Sequence, residues 1–97
     1  MLGNPARRLA RLVDAAAAIQ SAATAALWCA AVDAETDRIL TKARALTAVA
    51  VAKPTPRSAS RIEAYERAVC PELDRAAEVM RLTCAMYFAD PPSASAH

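Results

Sequence analysis

Nucleophilic and metal chemistry need thiols, imidazoles or carboxylates held together, and few residues of this chain meet that need. The cysteines are Cys29, Cys70 and Cys84, widely spaced and without a Cys-x-x-Cys pair. An odd, scattered set fits neither a zinc site nor a disulfide framework. Free thiols packed as small hydrophobes are the expected use, in a reducing, cytoplasmic setting. His97 is the sole histidine and falls in residues 91–97, expected to be a flexible tail. A Ser-His-Asp or Cys-His pair therefore has no fixed frame. Glu63 with Glu66, and Asp74 with Glu78, sit at helical spacing beside Arg67 and Arg75. That pattern reads as a solvated ion-pair face. Gly3 is the only glycine, so no glycine-rich phosphate loop can form. The expectation is a non-enzyme with no catalytic residue, metal, cofactor or small-molecule substrate.

The remaining chemistry is charge. Arg38, Lys42, Arg44, Lys53, Arg57 and Arg61 fall in a segment without a single acid, although the net charge is only +2. Cations favour a helix C-terminus, but that effect fades within a turn and accounts for Lys53 alone. The cluster is a candidate contact for nucleic acid or another polyanion. No aromatic residues interleave with it, so contact would be to a phosphate backbone and not to bases. The same cluster also suits an acidic protein partner, or simply a solvated face.

The elements that carry these residues are helices. Alanine supplies 27 of 97 positions, and no run alternates as a strand would. The fold class is all-α, an antiparallel helical hairpin or small three-helix bundle in one domain over residues 1–90. Asn4-Pro5 is an N-cap followed by proline at the first helical position. With no further glycine or proline before Lys53-Pro54, the pattern predicts a long Ala-rich helix over about 5–52. Its apolar stripe changes face, from Leu9, Leu12, Ala16, Ile19, Ala23 and Leu27 to Val32, Ile39, Ala43 and Leu46. A bend or break near Asp33 to Asp37 is the place this suggests, with one long or bent helix favoured over a break. After a loop at 53–59, Ser60 and Glu63 match a capping box. The stripe Ile62, Tyr65, Val69, Leu73, Ala76, Met80, Cys84 and Tyr87 keeps phase through Pro71. A single helix over about 60–89, kinked at Pro71, follows.

Residues 15–32 carry no charge, and ten of the 18 are alanine. Alanine drives membrane insertion weakly, so a helix buried in protein is favoured over a membrane span or an export signal. Alanine also buries little area, which leaves a monomer's core thin and points to association. Leu27, Trp28, Ile39, Leu46, Met80, Tyr87 and Phe88 are the candidate interface residues, tryptophan being a frequent interface anchor. The function expected is a helical protein–protein interaction module, a homo-oligomer or a small subunit of a larger assembly. The alternatives are a nucleic-acid backbone binder in a nucleoprotein complex and, third, a single-pass membrane or exported protein.

Overall fold

The computed structural model describes residues 4–88 and is all-α, with α1 at Pro5–Ala15, α2 at Ala22–Ala52 and α3 at Pro56–Tyr87. The expected tail at 91–97, with His97, lies outside the described residues. The α1 start is as read from Asn4-Pro5: the Asn4 side chain accepts from the Ala6 amide at 2.8 Å.

The first helix is not continuous over 5–52. A 3-10 turn at Ala16–Ala18 follows α1, and Ile19 and Ser21 are extended. Ser21 then caps α2: its Oγ accepts from the Thr24 amide at 3.2 Å, while Thr24 Oγ1 accepts from the Ser21 amide at 3.1 Å. This reciprocal cap satisfies two otherwise orphan donors and reverses the chain without glycine or proline. It also splits the first apolar stripe, leaving Ala23 and Leu27 on an exposed face of α2 while Val32 and Ile39 face the core. No break occurs at Asp33 to Asp37, and α2 runs straight through them.

The start of the last helix also differs. The loop is only Lys53–Thr55, with Pro56 at the first helical position and Thr55, not Ser60, as N-cap. Ser58 accepts from the Thr55 amide at 3.1 Å and donates to the Thr55 carbonyl at 2.9 Å. Two hydroxyls three residues apart thus do what Ser60 and Glu63 were expected to do. The helix passes Pro71 without ending, because its apolar face stays packed on both sides of the proline.

The chain forms a hairpin of α2 and α3 with α1 laid on one side of it. The core is Leu9 and Val13 from α1, Trp28, Val32 and Ile39 from α2, and Val69 and Ala76 from α3. Tyr87 closes one end by donating to the Ile19 carbonyl at 3.2 Å, and Tyr65 donates to the Ile39 carbonyl at 3.3 Å. Between residues 40 and 68 the only buried side chain is Ser58. The hairpin therefore has two parts, a three-helix bundle and a two-helix arm that outruns α1. The dimensions show it: a radius of gyration of 17.0 Å and extents of 55 × 36 × 17 Å, against about 13 Å expected for the radius of a compact domain this long.

Candidate interaction surface

The border between bundle and arm is an ionic bridge. Glu35 sits on the buried line of α2, between Val32 and Ile39, with its side chain only 4% exposed. Its Oε2 accepts from Arg8 Nε of α1 at 3.0 Å, and its Oε1 accepts from Arg38 at 2.9 Å. A buried carboxylate is tolerable only when paired in this way. A second tie joins Arg75 of α3 to Asp14 of α1 at 3.3 Å. Trp28 Nε1 donates to the Leu12 carbonyl at 2.6 Å. These three contacts place α1 along one flank of the hairpin, from Glu35 back towards the α1–α2 turn.

The same flank, past the start of α1, carries most of the basic cluster. At roughly 100° per residue, Arg38 lies well to one side of the buried line of α2, and exposed Lys42 falls at that line's edge on the same side, between Ile39 and Leu46. Arg57 and Arg61 lie to the matching side of the buried line of α3. In an antiparallel pair, matching sides face the same way, so the four share one flank. Lys53 ends α2 at the tip beside them. Arg44 does not join them, because its position faces outward on the other side. All six are exposed, and among the described residues only Arg38 is held in an ion pair. On this flank Leu46 and Tyr65 are half-buried, and Val49, Ala64 and Ala68 are exposed among the cations. On the opposite flank of the arm Leu40 and Val51 are exposed, Val51 retaining 77% of its area, beside the exposed charges of Arg44, Glu63 and Glu66. A pocket of about 430 Å³ lies at the tip, lined by Ala50, Pro54 and Ile62 among others.

The candidate interface residues divide differently. Trp28 and Ile39 are core, 7% and 1% exposed, so neither offers surface to a partner. Leu46, Met80 and Tyr87 are half-buried in intramolecular packing. Leu27 and Phe88 are exposed, with Met86 and Leu82 also exposed near the chain's other end. Leu27 shares the phase of the α1 stripe, but after the break at Ile19–Ser21 that phase points outward on α2.

The cysteines are not all scattered in space. Cys29 of α2 and Cys84 of α3 are neighbours across the two helices, and Cys70 stands apart and exposed. Burial first, and then the neighbouring Cys84, push the Cys29 thiol above its usual range. Burial, then Glu35, likewise raise the Tyr65 hydroxyl. Among the described residues no cluster of three His, Cys, Asp or Glu is placed to hold a metal ion, and no helix is long and apolar enough to cross a membrane.

Two features escaped the sequence reading. Glu35 had a signal, a lone acid at helical spacing between Val32 and Ile39. The Ser21–Thr24 cap also had one, a hydroxyl pair three residues apart. No family model matches this chain, and neither does any curated protein or solved structure.

Proposed function

We propose that this protein is a non-catalytic interaction module, a bundle that presents its two-helix arm to another macromolecule. One observation carries the reading: α1 stops at Glu35, and the arm beyond it is left with apolar side chains exposed on both flanks. Val49 and Val51 there keep half or more of their area. Two helices packed through alanine bury too little surface to be rigid alone, and a third layer would supply the burial.

The test combines light scattering after size exclusion with amide hydrogen exchange on untagged protein. The expected result is fast exchange across residues 40–68 in dilute solution, slowing as the chain associates or meets its partner. A micromolar monomer in which arm and bundle amides are equally protected overturns the reading.

A second reading rests on the acid-free flank of Arg38, Lys42, Arg57 and Arg61, which suits a phosphate backbone. Replacing the four by Gln should abolish salt-dependent binding to mixed-sequence nucleic acid. Binding that survives the change, or is indifferent to salt, removes it.

A further inference from the structure

We infer that Cys29 and Cys84 form an oxidation-sensitive pair, two thiols that a small-molecule disulfide converts into an intramolecular bond across the α2–α3 seam. The pair lies in the bundle, apart from the arm, and is independent of what the arm docks against.

Helical phase places the two thiols together. Cys29 follows buried Trp28 on α2, and Cys84 follows buried Thr83 on α3. Each is turned about 100° from its buried neighbour in the same sense. In an antiparallel pair of helices that puts both on one edge of the seam. The ties of α1, to Glu35 and Arg75, lie on the other side of the same two buried lines. The thiols therefore occupy the flank that α1 leaves open, Cys29 half-buried and Cys84 exposed. After burial, Cys84 is the strongest influence on the Cys29 thiol, ahead of Asp33 one turn along the same helix. Buried Ala25 and Ala76 line the seam. Packing through alanine lets helix axes approach to about 8 Å, the short end of the usual range. Residues on the edge of such a seam can meet the Cα span of roughly 4.4–6.8 Å that a disulfide requires. Cys70 does not join them. It stands 14 residues from Cys84 on the same helix, about 21 Å at 1.5 Å per residue.

The exchange balances in two steps. The thiolate of exposed Cys84 attacks one sulfur of the small disulfide, forming a mixed disulfide and releasing one small thiolate. The Cys29 thiolate then attacks the Cys84 sulfur and releases the other. The two protein thiols give up two protons and two electrons, and the small disulfide is reduced to two thiols. Burial keeps the Cys29 thiol protonated at neutral pH, which leaves the first step to Cys84. The product closes residues 29–84 into a loop that contains the whole arm. It holds α2 to α3 from the flank opposite the α1 ties.

The test incubates the full, untagged chain, freshly reduced and free of air, with mixtures of oxidised and reduced glutathione. Intact mass and non-reducing peptide maps read the product. The expected product is a monomer with a Cys29–Cys84 bond and glutathione on Cys70 alone. Cys70→Ser should give the same bond, two hydrogens lighter and without glutathione. Its equilibrium constant should be about a hundredfold larger in buffer than in concentrated urea. By linkage, oxidation should raise the urea midpoint of Cys70→Ser, and a reductant should reverse the rise. Cys29→Ala should leave glutathione on Cys84, and Cys84→Ser should leave Cys29 reduced.

A folded chain that stops at glutathione on Cys84, with Cys29 still reduced, overturns the inference. So does a bond that forms no better in buffer than in urea, or one that lowers the unfolding midpoint. Dimers joined through Cys70 or Cys84 in place of the internal bond overturn it too. Each of these leaves the interaction reading untouched, because that reading is decided by association and by exchange across residues 40–68.

Discussion

Single side chains, not extended layers, fix where the bundle ends. Glu35 is the clearest case, a buried carboxylate whose two oxygens each hold an arginine, one from α1 and one from its own helix. Glu35→Gln keeps the shape and removes the charge, and should lower stability by about 2 kcal/mol in urea denaturation. Trp28→Phe leaves the Leu12 carbonyl without its indole donor and should cost about 1–2 kcal/mol by the same measurement. The thiols make a kinetic prediction. Burial and the neighbouring Cys84 raise the Cys29 thiol, so less of it is thiolate at any given pH. Mass spectrometry after timed alkylation should find exposed Cys70 modified first and Cys29 last. The reactivity of Cys29 should rise only at more alkaline pH. Equal rates for Cys29 and Cys70 would contradict the packing described.

Helices here are delimited by hydroxyl pairs. The Ser21–Thr24 and Thr55–Ser58 caps are built alike, each a side chain accepting from the other residue's backbone amide. The first is the only local device that starts α2 in an alanine-rich stretch that would otherwise propagate as helix. Ser21→Ala with Thr24→Ala should therefore destabilise the protein by about 1–2 kcal/mol, read by thermal unfolding. It should also raise helical content by circular dichroism as the turn straightens. These caps show where the sequence was legible and where it was not. Asn4-Pro5 and the phase of the α3 stripe across Pro71 were readable, because each rests on residues with few other uses. The α1–α2 turn was not, since Ser and Thr among alanines also occur inside helices. Its trace was the change of apolar face, displaced by Leu27, which keeps the α1 phase by accident of spacing. The basic cluster was legible as composition. That Arg44 faces away from Arg38, Lys42, Arg57 and Arg61 needed the helix boundaries first.

Over the molecule as a whole, charge is divided between the ends. The segment from Arg38 to Arg61 holds six cations and no acid, leaving six cations against ten acids elsewhere. A near-neutral total thus conceals a dipole, which orients the chain against a charged partner before contact. Hydrogen exchange should show a matching division of stability, with arm amides opening well before those flanking Trp28 and Val69. Equal protection would mean the arm is already packed. The arrangement of α1 has one more consequence, for the order of synthesis. Its ties reach Arg75 and Tyr87, 61 and 68 residues along from Asp14 and Ile19. As the chain leaves the ribosome, α1 emerges before α2, and α3, the helix that closes over it, comes after both. Until α3 has been made Leu9 and Val13 have no completed core to enter, and a nascent chain halted before Val69 holds none of the α3 core residues.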